Sequence, residues 1–370
     1  MNVKELHREA MRFTDLALIA KQSNSISEVK LNYHKAFEFE KEAFLLFNSQ
    51  SNEEPTRSVL IRSASNLAIL AEEYREAEKL ISLGLAGDPP PEFGDEFRDI
   101  LQQANFYRHL ELKGIKLNAN ELQLSLSGNQ VGHGLIRSDE FLNRFEIIEK
   151  IAYRTADRIR KKPFTDKGRP LKNNVVNFEP YLSVPRAASF AVTIRFGQSS
   201  VQPIFEGMDV QSLLIDDLLT NIKLINEEKY DELDNNIKDQ SYRRNFIALI
   251  KQLAPDGDRI KLVGFTTKRN NTSEFVALTK STKEIISHSD LKENNLSLPG
   301  KIVELEGTLS FADSKKSKVK LTNKKMKDFQ IIVPKGLLSD IVKPYFEERV
   351  VITGNQIGNI IELKDIRKIE

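Results

Sequence analysis

The chain has 370 residues, a formal net charge of +2, 40% hydrophobic and 29% charged residues, and no cysteine. Those values fit a folded protein of two or three domains; they exclude disulfides, thiolate nucleophiles, iron–sulfur clusters and cysteine-ligated zinc. No segment approaches the roughly 18 uninterrupted apolar residues of a membrane span, and the opening residues MNVKELHREAMRF lack the apolar core of a signal peptide, so a cytoplasmic protein is expected.

The charge is uneven along the chain. Residues 1–110 carry 13 Lys+Arg against 18 Asp+Glu, whereas residues 301–370 carry 14 against 10. An acidic N-terminal region and a weakly basic C-terminal one point to different partners at the two ends.

From Val3 to Ile100 the apolar spacing is helical. Leu6, Ala10, Phe13, Ala17 and Ala20 recur at three- and four-residue steps, and Val29, Tyr33, Ala36, Phe37 and Phe44 continue the pattern over Ser25–Asn48. Pro55 suits the start of a further helix, where its missing N–H is no loss. Two helices follow over about 57–90. Tyr74 stands at the turn between them, Ala77 and Gly84 are small residues seven apart, and Pro89 ends the pair. In this the segment resembles a tetratricopeptide hairpin, although Ile61, Ala64, Ser65 and Ala68 replace that repeat's Trp, Leu, Gly and Tyr. The resemblance implies a helical domain that holds a protein partner. One such repeat cannot bury both faces, so its neighbours must complete it. Pro89-Pro90-Pro91 then leads into a helix over Phe93–Tyr107. A helical domain over 1–108 is expected.

The central region, 109–298, reads as α+β. Leu122–Ser127 alternates as a half-buried strand. GNQVGHG, Gly128 to Gly134, fits neither phosphate-loop spacing and reads as a β-hairpin turning at Asn129-Gln130. Ser138 is a candidate N-cap for a helix through Arg160. Lys161–Asn174 is a basic loop, Ser189–Phe196 a second strand, Val210–Asn226 and Asp231–Leu253 helices, and Arg259–Thr266 and Glu274–Thr279 strands. Asp256 and Asp258 in PDGD read as turn chemistry, and Asp216-Asp217 as the wet face of a helix. The region is similar to segments of uncharacterised bacterial proteins, which implies no activity.

From Lys301 short strands dominate: Ile302–Phe311, Lys316–Thr322, Phe329–Val333, a helix over Gly336–Phe346, then Arg349–Thr353 and Asn359–Leu363. Gly307 and Gly354 sit where a closing barrel kinks, and Gly358-Asn359 is a hairpin turn. By element order alone, 299–370 resembles an OB-like β-barrel, with an SH3-like barrel as the competitor.

The chemistry-bearing residues are few. Seven lysines, Lys315, Lys316, Lys318, Lys320, Lys324, Lys325 and Lys327, fall in one hairpin with no acid between them, flanked by Phe311 and Phe329. Lysines neutralise phosphates and aromatics stack bases, so these nine residues are the candidate surface for single-stranded nucleic acid. The competing reading is a hairpin kept soluble by its lysines. Arg154, Arg158 and Arg186 form a candidate anion cluster, with pairing to Asp157 as the alternative. The five histidines are scattered, and no metal site, cofactor or catalytic constellation is expected. The sequence thus predicts a non-catalytic interaction protein, its helices on a protein partner and its barrel on nucleic acid. An adaptor without nucleic acid is the alternative, and an enzyme with a central site around Gly132, His133, Arg154 and Arg186 a further one.

Overall fold

The computed structural model describes residues 1–23, 25–51, 53–110, 117–118, 120–129, 131–132, 135–166, 180–182, 190–197, 210–269, 272–282, 284–285, 301–313, 316–358 and 360–369. The chain mixes helices and strands and divides into two compact units, Met1–Ile115 and Lys116–Glu370. No helix among the described residues is long and apolar enough to cross a membrane.

The first unit is helical: α1 (Val3–Gln22), α2 (Ile26–Gln50), α3 (Thr56–Leu70), α4 (Tyr74–Ala86) and α5 (Pro91–Leu110). Asn2 begins α1 with a capping box, its side chain accepting from Glu5 N while Glu5 accepts from Asn2 N. The small residues Ala64, Ser65 and Ala68 of α3 are fully buried, so neighbouring helices approach closely there. Gly84 of α4 serves the same end: a Cβ at that position would lie 2.7 Å from the Phe97 ring of α5. Tyr74 stacks on Tyr107 at 5.1 Å. Arg57 is buried among these helices, donating to the Leu83 carbonyl and to Asn48. Phe37 and Phe44, whose exposure would have marked a docking patch, are inside this core, while Leu45 is exposed.

The second unit contains a five-stranded antiparallel sheet and a closed barrel. The sheet comprises β1 (Glu121–Ser127), β4 (Pro180–Leu182), β5 (Phe190–Phe196), β6 (Leu262–Arg269) and β7 (Thr272–Leu278), in the order β4-β5-β1-β6-β7. Val131–Gly132 (β2) and Leu135–Ile136 (β3) pair with each other, so the second strand of the expected hairpin is split in two; the expected turn at Asn129-Gln130 is spanned by a single bridge between Gly128 and Val131, and Gln130, His133 and Gly134 lie outside the described residues. Leu122, Leu124 and Leu126 of β1 share one buried cluster with Ile148 of α6 (Ser138–Ile159), Leu218 of α7 (Val210–Asn226) and Leu249 of α9 (Gln240–Leu253).

Two local readings need correction. Ser138 is the first residue of α6 and Arg137 takes the N-cap position. The helix expected over Asp231–Leu253 is two helices, α8 (Tyr230–Asn236) and α9. Asp239 separates them, its carboxylate accepting from Ser241 N at 2.8 Å and Tyr242 N at 3.1 Å. That cap satisfies free N–H groups of α9 that a continuous helix would have paired with carbonyls one turn earlier.

The barrel is built from β8 (Lys301–Asp313), β9 (Lys318–Thr322), β10 (Asp328–Ile332), β11 (Arg349–Ile357) and β12 (Ile360–Lys368), closed in the order β10-β12-β11-β8-β9. All neighbouring pairs are antiparallel except β10 with β12. Instead of the expected helix over Gly336–Phe346, a π-turn at Leu338–Val342 and a short 3-10 turn at Lys343–Tyr345 join β10 to β11. Gly307 and Gly354 are where the wall closes. A Cβ on Gly307 would meet the Thr322 carbonyl at 2.5 Å, and one on Gly354 would meet Ile361 at 2.5 Å, beside the bulge between Thr353 and Gly354.

The regions expected as separate domains, 109–298 and 299–370, fall in one compact unit. Barrel residues such as Leu321, Ile352 and Leu363 belong to the same buried cluster as the sheet and its helices. Polar contacts run alongside. Arg154 of α6 donates to Asp340 at 2.7 Å and to Ser339 at 2.8 Å. Asn245 of α9 donates to the Gly336 carbonyl and to Asp340, and Lys251 pairs with Asp365. Tyr242 packs edge-on against Phe164, and its hydroxyl donates to the Lys162 carbonyl. Burial pushes that phenol up to about 12, so it remains a donor at ordinary pH.

Candidate nucleic-acid interface

The lysine segment is the hairpin of β9 and β10. Alternation along β9 turns Val319 and Leu321 into the core and leaves Lys318, Lys320 and Thr322 on the outer side. The connecting turn is built by Asn323, whose side chain accepts from Lys325 N at 3.0 Å and Lys327 N at 2.9 Å. Its backbone N–H donates to the Lys327 carbonyl. Asparagine suits this role because its short side chain can mimic a backbone turn. Met326 takes the left-handed conformation at φ 56°.

The cations divide into two groups. Lys320 pairs with Asp328 at 2.7 Å and Lys324 with Glu306 at 2.8 Å. The hydrogen bond from Lys320, then that from Thr322, holds the Asp328 carboxyl below its usual range; Lys324 and then Arg349 do the same for Glu306. Lys327 lies over the Phe329 ring, 5.1 Å from its centre. The ammonium groups of Lys316, Lys318 and Lys325 make no ion pair among the described residues, although the Lys316 backbone N–H donates to Asp313 at 3.2 Å. A shallow concavity of about 380 Å³ on this face is lined by Lys316, Lys318 and Lys320 together with Asp313 and Asp328. Lys315 lies outside the described residues.

The two phenylalanines do not join the lysines alike. Phe329 stands opposite the buried Leu321 in the ladder and packs, half-buried, against the barrel core. Its parity with Ile331, two residues on and fully buried, is the sequence signal that marks this side of β10 as inward. Phe311 has its backbone opposite Lys320, past a bulge between Leu309 and Phe311; its side chain is outside the described residues. The segment's freedom from acid, read along the chain, does not extend across it, because the register sets Asp328 and Glu306 against two of its lysines.

The other candidates resolve into internal pairs. Arg158 pairs with Asp217, not with Asp157, which instead holds Lys162. Asp217 is therefore not on a wet face; burial raises its carboxyl despite Arg158. Arg154 is engaged by Asp340, and Arg186 falls outside the described residues. The PDGD segment is a turn in which Asp256 accepts from the N–H groups of Asp258, Arg259 and Ile260. A groove of about 1530 Å³ runs between α6, α9 and the barrel. Some of its charges pair with one another, among them Arg243 with Asp234 and Lys251 with Asp365. No group of three or more metal-ligating side chains is assembled among the described residues. Comparison with family models, with curated proteins and with solved structures finds no match for this chain.

Proposed function

We propose that the protein is a non-catalytic binding protein whose barrel takes the backbone of a single-stranded nucleic acid on the outer side of β9 and β10, and whose helical unit holds a protein partner. The barrel's strand order and its parallel β10–β12 pair support an OB-type reading, since three strands, a connecting turn and two strands close in that way. In such barrels the second and third strands carry oligonucleotides, and here these are β9 and β10.

The observation that carries the reading is the set Lys316, Lys318 and Lys325, cations on one hairpin whose ammonium groups make no ion pair among the described residues. Residues two apart on a strand stand roughly 7 Å apart, so Lys318 and Lys320 of β9 are in line, and Lys316, in the turn before the strand, lines the same concavity, where an extended phosphate backbone can follow them. Phe329 lines the same concavity but is half-buried under Lys327, so the lysines carry most of the contact with phosphates and the affinity is mainly electrostatic. The close approach of helices at Ala64, Ser65, Ala68 and Gly84 is compatible with the tetratricopeptide resemblance of about 57–90 and supports a protein-binding role for the helical unit.

The test is binding of labelled single- and double-stranded DNA and RNA across a salt series, by the whole chain and by a K316E/K318E/K325E/K327E variant. The expected result is binding by the wild type, with a log–log salt slope of roughly −0.7 per phosphate contacted on single strands, and none by the variant. Absence of binding by the wild type at low salt overturns the reading and leaves an adaptor whose lysines serve solubility.

A further inference from the structure

Two turns of the barrel hold apolar side chains in the open. In the β9–β10 turn, Met326 is 82% exposed. Its φ of 56° is left-handed, and every other non-glycine residue at positive φ among those described is polar or charged. Glycine or asparagine would take that conformation at lower cost, so a long thioether stands at the tip at some expense in stability. Asn323 fixes the turn through its bonds to Lys325 N and Lys327 N, and Lys325 stands beside Met326. The second turn joins β11 to β12. Ile357 and Ile360 lie opposite each other there, 39% and 41% exposed.

The ladder brings the two turns to one end of the barrel. β10 and β12 are parallel, with Gln330 opposite Ile360, so both strands start at the same end, where the turns that precede them stand. Gln330 is in turn opposite Lys320 of β9. Residues directly opposite in a ladder share a face. Lys320, Gln330, Ile360 and Ile357 therefore form one row across four strands of the outer side, roughly 14 Å long at three strand spacings. Gln330 and both isoleucines are exposed, Lys320 is half-exposed, and Gln330 lines the same concavity as Lys316, Lys318 and Lys320. The row runs from a cation through an amide to two branched apolar side chains.

We propose that this row and the Met326 tip hold the bases of the strand whose phosphates the lysines take, an inference that rests on the nucleic-acid reading above. One base packs on Ile360 and Ile357 and bonds through its edge to the Gln330 amide, which offers a donor and an acceptor. Met326 packs on a base from the tip, where a polarizable thioether suits an aromatic ring. The ligand is a single strand, because its bases are free to be splayed onto a protein surface. A membrane surface would also meet lysines beside apolar tips, but an exposed amide between the isoleucines and the cation matches a base edge and not acyl chains.

The experiment compares a labelled single-stranded oligonucleotide with an abasic strand of the same length, each bound by the full chain, by the double variant I357S/I360S and by Met326→Gly. The wild type is expected to bind the base-bearing strand about tenfold more tightly than the abasic one. I357S/I360S should lose most of that preference, bind the abasic strand unchanged and keep the wild-type salt slope, since no phosphate contact goes with the isoleucines. Met326→Gly should weaken the base-bearing strand by about threefold or more without lowering the melting temperature, because glycine relaxes the left-handed turn. If the wild type binds neither strand, the nucleic-acid reading itself fails and this inference with it. If the wild type binds both strands alike, or if folded I357S/I360S keeps the preference, the lysine row stands and the assignment of the bases is overturned. Wild-type binding to anionic lipid vesicles with no preference between the strands overturns it in the same way. If I357S/I360S does not fold, Met326→Gly decides alone, and an unchanged preference overturns the inference.

Discussion

Arg154 does the work of several residues at the junction of α6 and the barrel. It bridges Asp340 and Ser339, donates to the Thr165 carbonyl at 3.0 Å and lies over the Phe164 ring at 4.4 Å. Arg154→Ala leaves the Asp340 carboxylate with one side-chain donor, Asn245, and should cost about 2–3 kcal/mol in a denaturant titration. Arg154→Lys should recover only part of that, because a lysine cannot make the forked contact. Asp166 lies beside the same junction. Burial is the main cause that raises its carboxyl above the usual range, Arg154 opposes it, and Oδ1 has no hydrogen-bond partner. A carboxyl with a raised folded-state pKa contributes stability that is present at acid pH and lost as pH rises through the folded value. Asp166→Asn stays neutral throughout. It should therefore raise the melting temperature at pH 7, leave it unchanged below the ordinary aspartate range, and flatten the profile between. An equal gain at all pH values would assign the effect to packing.

At the scale of elements, most strands are legible because alternation and glycine are local signals, but β4 (Pro180–Leu182) is not expected and β11 and β12 run on to Ile357 and Lys368, past the expected ends at Thr353 and Leu363. Gly307 and Gly354 stood out as kinks before any ladder was known. Gly354→Ala places a methyl against Ile361 and the Glu362 carbonyl and should cost about 1–3 kcal/mol. The break between α8 and α9 was hidden because its apolar spacing runs on through Ile237, which is fully buried. Asp239→Ala should destabilise by about 1 kcal/mol, read as faster amide exchange in the first turn of α9. The lysine hairpin was legible as a hairpin, but its electrostatics were not. Which carboxylate meets which lysine depends on pairing between strands, and Glu306 is far from Lys324 in sequence. The inward turn of Phe329 was recoverable from parity with Ile331, whereas the row from Lys320 to Ile357 needed the order of the barrel strands.

At the scale of the whole molecule, the two units have separate buried clusters, one within Met1–Ile115 and one running from the sheet through the barrel. Residues that share a cluster unfold together more than residues that do not. Gly354→Ala, a barrel substitution, should lower exchange protection in β1 and α9 as well as in β11 and β12. Ile61→Ala, in the helical unit, should cost about 2–4 kcal/mol and leave β1 unaffected. Exchange followed by mass spectrometry separates these outcomes, and loss confined to β11 and β12 in Gly354→Ala would mean that the barrel opens by itself. An expected boundary near 298 was a reading of local pattern change; shared side-chain packing crosses it.

The closed ladder of β8 to β12 has one more consequence, for how the protein behaves in crowded solution. β9, the first strand of the lysine hairpin, is paired along Lys318–Thr322 with β8 on one side and β10 on the other, so it leaves no row of free N–H and C=O groups to recruit a strand from another copy. Lysines on an open hairpin would guard an edge, and replacing them would invite stacking into aggregates. β9 has no edge to guard, so charge reversal on Lys318 and Lys320 should not by itself start strand stacking through this hairpin, which light scattering of the variant would check.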